Sequence, residues 1–286
     1  MKHTVRIAVA ALLGMGAAHC AAWGPDGHSI VAEIAARRLD GRARAAVQRL
    51  LGAGHSLASE ASWADDARQD RPETFKWHFV DVPLAQATYD EKRDCAATPR
   101  GDCVVAELER IRHTLRCGRD DARREALRWA VHLVADLHQP LHTIAEEQGG
   151  NTVAVEVSMG GLRCARCTPA RTTQNLHWVW DTSLIAATAW SWGAYVRRLE
   201  DGWLRTPEAR EAAGGSVIDW ANETHAVARE VWSWTSADPV IGDDYYRRAL
   251  PVLDRQLGRA GLRLAAFLDD AFAPGTCGRG RPRARR

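Results

Sequence analysis

The sequence contains no apolar run long enough to cross a bilayer, because the stretch Ile7–Ala18 near its start is too short. It has no fixed-period repeat, which excludes a solenoid or a propeller. Between Trp23 and Phe272 it also has no linker rich in Gly, Pro or Ser, which argues against two flexibly joined domains.

A large excess of either charge is also missing, since the formal net charge is +2. Lys2, Arg6 and the five arginines after residue 278 account for more than this excess, and the chain between them carries about −5. A broad basic surface is therefore excluded. Any binding of nucleic acid would need a local site or bound metal ions, which supply their own positive charge.

The composition that is present is that of a globular protein, with 46% hydrophobic and 26% charged residues. Residues 1–22 have the basic start, short apolar segment and small-residue end (Cys20-Ala21-Ala22) of a signal peptide. We predict cleavage before Trp23 and a secreted or periplasmic protein. An uncleaved anchor and a lipoprotein processed before Cys20 are the alternatives, against which the short apolar run and His19 argue. We expect one domain over 23–272 and a disordered basic tail over 273–286, where Gly, Pro and Arg dominate.

Six cysteines remain after Cys20, and an even number in an oxidising compartment favours disulfides. Cys95 and Cys103 flank a short loop and suit a local disulfide. Cys164 and Cys167 form a CxxC that predicts a local disulfide or a structural clip, because no thioredoxin-like pattern surrounds it. The remaining pairing is left open.

Helical periodicity dominates the sequence, which predicts a mainly α fold. Helices are expected over 28–39, 61–68, 103–117 and 122–139, and about three more between 190 and 272. The segment FKWHFVDVP (75–83) is expected to be extended. TVAVEVSMGGLRC (152–164) predicts one small β-hairpin that turns at Gly160-Gly161.

The segment WAVHLVADLHQPLH (129–142) has the spacing of metal ligands. His132 and Asp136 are four residues apart, so on a helix both side chains leave the same face one turn from each other. Pro140 should end the helix, which leaves His142 in the turn beyond it. His138 lies off this face, and we interpret it as structural.

A second pair repeats this spacing, since NLHWVWD contains His177 and Asp181. Each candidate alone would be read as a core histidine or a solvated carboxylate, but together they predict a metal site. Nitrogen and carboxylate ligands without thiolates suit catalytic zinc or a related divalent metal. The full candidate set is Trp23, His28, Asp65, His78, His132, Asp136, His142, His177 and Asp181.

The chain resembles the zinc-dependent single-strand-specific nucleases, the extracellular nuclease/3'-nucleotidases of fungi and plants with bacterial relatives. The resemblance rests on WGPDGH, SWADDAR, WHFVDVP, HLVADLHQPLH, GGN, NLHWVWD, WANET and AGLRLA, which occur in order over Trp23–Phe272. It implies a single helical domain of the phospholipase C/nuclease type with three zinc ions in a cleft.

The resemblance also implies how the ligands are shared. One ion would be bound by Asp65, His78, His132 and Asp136. A second would be bound by the α-amine and carbonyl of Trp23 with His28, and Asp136 would bridge it to the first. The third would be bound by His142, His177 and Asp181.

Zinc lowers the pKa of bound water toward neutrality, so such a cluster would provide a hydroxide for in-line attack on a phosphodiester. Beside it we expect Asp81 to orient or deprotonate the water and Arg68 to stabilise charge on the phosphorus. Phe79 is a candidate for stacking a base and Asn151 for contacting a phosphate. The alternatives are a solvated carboxylate, a surface ion pair, a core aromatic and a turn residue, respectively.

The predicted function is hydrolysis of single-stranded DNA and RNA to 5'-phosphorylated products, with 3'-nucleotidase activity on 3'-nucleotides. No stable protein partner is predicted. A zinc-dependent phospholipase C is the enzyme alternative, against which the short Trp23–His28 interval and the aspartate at position 181 argue. A non-catalytic periplasmic zinc-binding protein is the alternative outside the enzymes.

Overall fold

A computed structural model describes residues 23–235, 240–275 and 277. The predicted signal peptide and most of the predicted tail lie outside the described residues. The described chain is mainly helical, as the sequence predicts. Its helices are α1 (Pro25–Ala36), α2 (Gly41–Leu51), α3 (Leu57–Glu60), α4 (Trp63–Asp70), α5 (Glu91–Asp94), α6 (Val104–Cys117), α7 (Asp120–Asp136), α8 (Glu147–Gly150), α9 (Leu176–Trp178), α10 (Leu184–Thr188), α11 (Trp192–Asp201), α12 (Pro207–Glu211), α13 (Val217–Thr235) and α14 (Asp243–Ala271).

Helix α7 runs through the core, where it packs against α6, α14 and α1. Asp120 and Asp121 open its first turn, where negative charge complements the helix dipole. Its second half is buried on every side, so its polar residues there need partners inside the protein. The helix ends at Asp136, three residues earlier than predicted, because the residue before Pro140 is extended (Gln139 φ −80°, ψ 119°).

Helix α1 packs against the long helix α14 and also contacts α7. The approach depends on Gly261 of α14, where any Cβ would overlap the side chain of Ile34. His28, on the same helix as Ile34, is fully buried. The N-terminal end of α1 thus brings a histidine against the C-terminal half of α7.

A small sheet of three strands lies beside the helices, in the order β2-β1-β3. Strand β1 (Ala154–Val157) is antiparallel to β2 (Thr172–Asn175) and parallel to β3 (Val240–Ile241). The first pair confirms a small hairpin, but the predicted turn at Gly160-Gly161 is wrong. The backbone N–H groups of both glycines donate to Asp243 Oδ1, at 2.9 and 3.0 Å, which anchors a longer loop to the start of α14.

The prediction of an extended segment over 75–83 is wrong for its first part. Residues Pro72–His78 form a 3-10 helix, which Pro72 begins and the Thr74 hydroxyl supports by donating to the Arg71 carbonyl. Phe79 is extended, as predicted, with φ −152° and ψ 174°. The backbone therefore changes direction at His78.

Three disulfides are formed among the described residues. Cys95–Cys103 and Cys164–Cys167 are the local disulfides that the spacing favoured. Cys117–Cys277, whose pairing the sequence left open, joins the end of α6 to the chain beyond α14. Within the described part of the chain, no helix is both long and apolar enough to span a membrane.

Candidate metal centre

The structure brings together every histidine and aspartate that was predicted to be a metal ligand. They form three groups, and in each group the ligand atoms lie within 4.8 Å of one another. The groups are His28 with His132 and Asp136, Asp65 with His78 and His132, and His142 with His177 and Asp181. We call the first two groups, which share His132, the paired cluster, and the last the third group.

The paired cluster is built around Asp136 at the end of α7. Its Oδ2 lies 3.0 Å from His78 Nδ1 and 3.2 Å from His132 Nε2. Its Oδ1 lies 3.4 Å from His28 Nε2 on α1. Asp65, on α4, completes the cluster with its Oδ1 3.7 Å from His132 Nε2. The two oxygens of one carboxylate thus face histidines on two sides.

The third group joins the turn after α7 to the start of the α9–α10 segment. His142 Nε2 and His177 Nε2 are 3.1 Å apart, and His177 Nε2 is 3.3 Å from Asp181 Oδ2. His177 and Asp181 are presented by α9 and a π-helical turn, Val179–Ser183, that follows it. His142 lies in the 3-10 turn Pro140–Thr143, beyond the proline as predicted.

Backbone carbonyls orient three of the histidines. His132 Nδ1 donates to Ala61 O at 2.8 Å, His142 Nδ1 to His78 O at 2.8 Å, and His177 Nδ1 to Gly149 O at 2.6 Å. Each contact places a proton on Nδ1, so in the neutral ring the Nε2 lone pair faces the other ligand atoms. This is the usual way in which proteins fix the tautomer of a metal-binding histidine.

Burial determines the charge state of the third group. It lowers the pKa of His177 to about 4, and it lowers that of His142 well below its usual value, with His177 adding to the effect. It raises the pKa of Asp181 well above its usual value, against the hydrogen bond from Gln139. Both imidazoles are therefore neutral near pH 7 and able to act as ligands.

The paired cluster contains opposed charges. Burial lowers the pKa of His28 and His78 well below the usual value, and the neighbouring His132 adds to this. Burial also lowers the pKa of His132, but the carboxylates of Asp136 and Asp65 outweigh it and raise the value to about 9. Without a metal, a proton on His132 thus compensates buried carboxylate charge.

The donor atoms fit a bound cation. Both ring nitrogens of His28, Asp136 Oδ1 and Asp65 Oδ1 are buried without a hydrogen-bond partner among the described residues. Two neutral Nε2 lone pairs that face each other at 3.1 Å, as in His142 and His177, repel unless a positive charge lies between them. Buried nitrogen and oxygen donors in this number suit zinc.

Trp23 lies against the same centre and is fully buried. Its indole Nε1 donates to Ala135 O at 2.9 Å, next to Asp136. The next residue, Gly24, donates its backbone N–H to Asp181 O at 2.9 Å, which ties the start of the domain to the third group.

A cavity of about 360 Å³ opens beside His78 of the paired cluster and beside the third group. Its lining contains His78, His142 and His177 and the four residues predicted to act on substrate, which are Arg68, Phe79, Asp81 and Asn151. The structure therefore brings three of the predicted ligands and the four predicted substrate residues to one cavity. Within the loop, the Asn151 side chain donates to Gln148 O at 2.8 Å.

Asp81 is 40% exposed at the edge of this cavity, with Lys76 Nζ 3.7 Å from its Oδ2. Burial raises its pKa, and Lys76 opposes this shift. Arg68 lies at the inner end, where its guanidinium is 3.4 Å from Asp65 Oδ1. An anion in the cavity would thus meet a cation beside the paired cluster.

Several residues at this site were missed by the sequence reasoning. Gln139 was treated only as the residue before Pro140, yet its Nε2 donates to Asp181 Oδ1 at 2.6 Å and its Oε1 accepts from the backbone N–H of Leu141 at 2.5 Å. Gly149 supplies the carbonyl for His177 from a left-handed conformation (φ 66°). The only signal for Gly149 was the Gly-Gly-Asn sequence, which marks a tight turn.

His138 lies outside the three groups. Its Nδ1 donates to Val134 O at 2.7 Å, and its Nε2 accepts from the buried Arg263 at 3.1 Å. Burial and the charge of Arg263 lower its pKa to about 3, so the ring is neutral. Both nitrogens are thus engaged away from the metal centre.

The arrangement suits phosphoryl transfer and offers no thiol chemistry among the described residues. Neutral nitrogens and carboxylates suit a Lewis-acidic divalent metal such as zinc, and two such ions held close together would clamp the oxygens of a phosphodiester. No cysteine belongs to any of the three groups among the described residues.

Comparison with known proteins agrees with this chemistry. The family model described as S1/P1 Nuclease matches residues 23–273. The chain is 29% identical to Nuclease P1 of Penicillium citrinum, over 87% of this chain and 97% of that protein. It is 26% identical to Nuclease S1 of Aspergillus oryzae over 86% and 91%, and 28% identical to Endonuclease 4 of Arabidopsis thaliana over 88% and 89%.

Proposed function

Because the chain belongs to the S1/P1 nuclease family, we propose that it is a zinc-dependent hydrolase that cleaves single-stranded DNA and RNA to 5'-phosphorylated products. We extend the proposal to 3'-nucleotidase activity. The family implies a hydrolase that acts on phosphodiester bonds. The observation that supports the finer proposal is that His78 of the paired cluster and the two histidines of the third group line one cavity together with Phe79 and Asp81.

Three zinc ions would be held by the paired cluster together with Trp23, and by the third group. Zinc, when bound, polarises a phosphoryl oxygen and acidifies water. The chain supplies imidazoles whose Nε2 faces the site, since the carbonyls of Ala61, His78 and Gly149 hold the Nδ1 protons of His132, His142 and His177. These ligand side chains are buried, which strengthens the electrostatic interactions that they make.

Asp81 acts as the general base or orients the attacking water. It is a carboxylate at the cavity edge, its pKa is raised, and it belongs to none of the three ligand groups. Arg68 stabilises the charge that develops on the phosphate, since a guanidinium presents several donors to phosphate oxygens. Phe79, at the cavity wall, stacks on a base.

Stacking on Phe79 would account for a preference for single strands. A base can reach a recessed wall only after it leaves the duplex, and opening a duplex costs a few kcal/mol. Contacts made only to phosphate and to the face of a base carry little sequence information. We therefore propose activity on both DNA and RNA.

The proposed ligand set includes the α-amine of Trp23, so the proposal also requires removal of residues 1–22 and export to the periplasm or beyond. A single residue added before Trp23 should remove about one zinc per chain and most of the activity. A tag at the other end of the chain should leave both unchanged. Equal zinc content with and without the added residue would contradict this ligand assignment.

The deciding experiment measures zinc per chain and hydrolysis of single-stranded DNA, RNA, a 3'-mononucleotide and phosphatidylcholine by the processed protein. We expect about three zinc ions, cleavage of the first three substrates and loss of activity with a chelator. The variant Asp81→Asn should keep its zinc and lose a factor of about 10² to 10⁴ in kcat. Hydrolysis of phosphatidylcholine alone would refute the nuclease proposal in favour of a phospholipase. Full zinc content without hydrolysis of any phosphoester would favour a binding protein.

A further inference from the structure

Arg100 is a cation at the outer edge of the site cavity to which the proposed chemistry gives no role. Its side chain lines the cavity, and its guanidinium carbon lies 3.6 Å from the centroid of the Phe75 ring. In residues 23–235, 240–275 and 277, no ion pair or side-chain hydrogen bond is found for this guanidinium. The Phe75 ring therefore supports the Arg100 guanidinium, whose N–H donors remain available to a ligand.

Backbone contacts and a disulfide fix the position of Arg100. It lies in a tight turn in which Thr98 and Gly101 form a β-bridge, and the Cys95–Cys103 disulfide closes the loop around it. The Arg100 carbonyl accepts the backbone N–H of Lys76 at 2.9 Å, which joins the turn to the 3-10 helix that ends at His78. The backbone that carries Arg100 is thus already ordered, so binding at its side chain costs little further backbone entropy.

Arg100 and Arg68 lie around the same aromatic ring. The guanidinium of Arg68 is 5.7 Å from the Phe75 centroid, and Phe75 in turn contacts Phe79 edge to face at 5.5 Å. Arg68 belongs to the inner end of the cavity beside Asp65, and Arg100 belongs to its mouth. The two cations thus share one aromatic ring, with Phe79 beside it.

We propose that Arg100, supported by Phe75, forms a second phosphate-binding subsite, which holds the phosphate adjacent to the scissile one in a single-stranded substrate. This rests on the proposed function. A strand whose scissile phosphate lies at Arg68 and whose base lies at Phe79 continues outward through the cavity mouth. Its next phosphate then needs a counter-charge, and a guanidinium without a carboxylate partner provides one.

The subsite distinguishes substrates by their number of phosphates. An oligonucleotide can contact Arg68 and Arg100 together, whereas a 3'-mononucleotide has a single phosphate, which is engaged at the reacting centre. Arg100 therefore contributes to the KM for strands and contributes nothing to the 3'-nucleotidase reaction. A residue with only a structural role would affect both reactions alike.

The test compares the zinc-loaded wild type with Arg100→Ala, Arg100→Lys and a control, Arg119→Ala. The backbone contact to Lys76 does not depend on the Arg100 side chain, so the loop should keep its conformation. Arg119 is also an exposed arginine, with 90% of its side chain accessible. It immediately precedes Asp120, the first residue of α7, at the opposite end of the helix from Asp136. That end lies about 25 Å from Asp136.

Two quantities are measured. The first is kcat/KM for a single-stranded oligonucleotide and for a 3'-mononucleotide. The second is the affinity for a phosphorothioate-linked oligonucleotide that resists cleavage, as a function of salt. Arg100→Ala should lower the slope of log affinity against log salt by about 0.7. The ratio of wild-type affinity to variant affinity should therefore fall about threefold between about 50 and about 200 mM salt. Its kcat/KM should fall for the oligonucleotide and stay unchanged for the mononucleotide, while Arg100→Lys keeps the slope and Arg119→Ala changes nothing.

An unchanged salt slope in Arg100→Ala, or equal losses on both substrates, would overturn the subsite. The failure of the proposed function has a different signature, because the wild type would then hydrolyse neither substrate. In that case the binding measurement alone decides on Arg100, since it needs no turnover.

Discussion

Replacing Gly149 by alanine should damage the third group through the backbone, although the residue contributes no side chain to it. Gly149 has φ 66°, and a Cβ added there would lie 2.5 Å from Leu141 O and 3.2 Å from His177 Nδ1. The Gly149 carbonyl also accepts the Nδ1 proton of His177 at 2.6 Å. The substitution therefore pushes on the turn that carries His142 and on the partner of His177 together.

The magnitude has two parts. A left-handed conformation costs a residue with a Cβ about 1–2 kcal/mol. The contact with Leu141 O is too short to be relieved by a side-chain rotation, and overpacking of this kind costs about 1–3 kcal/mol more. Loss of an orienting partner typically lowers metal affinity about 10- to 100-fold, so the third group should also release zinc more readily.

Gly54→Ala is the matched control, because Gly54 also has a positive φ, 82°, but nothing lies within 4 Å of an added Cβ. Urea unfolding of the metal-free proteins should show that Gly149→Ala loses about 1–3 kcal/mol more than Gly54→Ala. Zinc retention during dialysis against a graded chelator should fall only in Gly149→Ala. Equal stability and equal retention in the two variants would refute the reasoning from Gly149.

Two further predictions concern neighbouring residues. His138→Asn should lower the free energy of unfolding by about 1–3 kcal/mol, because it disrupts the hydrogen bonds of a buried ring, yet leave the zinc content unchanged in metal analysis. His142→Asn is its counterpart and should lose zinc, so a loss of zinc in both variants would contradict the structural role of His138. Lys76 lowers the pKa of Asp81, which burial raises, so Lys76→Ala should raise this pKa further. Because Asp81 must be ionised to act as a base, the acid limb of the kcat/KM profile should shift to higher pH. A limb that stays in place or moves to lower pH would argue against Asp81 as the base.

The ligand pairs on regular structure could be predicted because their spacing determines their geometry. His132 and Asp136 lie one turn apart on α7, so a helix is all that is needed to bring them within 3.2 Å of each other. His177 and Asp181 have the same spacing, and their chain closes the 3.3 Å contact although a π-helical turn replaces part of the expected helix. Local structure therefore carries most of the information about these ligands.

Features that depend on distant partners could not be predicted in the same way. Gly160-Gly161 has the sequence of a hairpin turn, but Asp243, more than eighty residues later, accepts both of its N–H groups. Gln139 becomes the partner of Asp181 only after the third group has assembled. Neither contact has a local signature, since the tertiary structure decides which donors meet which acceptors.

The Arg100 subsite was missed for a related reason. An arginine in a loop rich in Pro and Gly is indistinguishable in sequence from any solvated charge. Its significance comes from the ring of Phe75, twenty-five residues earlier, and from a backbone contact that joins two loops. Exposed cations of this kind can be assigned only when their surroundings are known.

The Cys117–Cys277 disulfide has a consequence for where the protein can fold. It closes a loop of 160 residues that contains all of α7 to α14, and with them most of the metal centre. In the chain-entropy description, closing so long a loop removes about 5 kcal/mol of disorder from the unfolded chain. This is comparable to the whole stability of many domains. Synthesis where thiols stay reduced should therefore give a chain that folds with a much smaller margin, and its yield should depend on the redox state of the compartment before any metal is supplied.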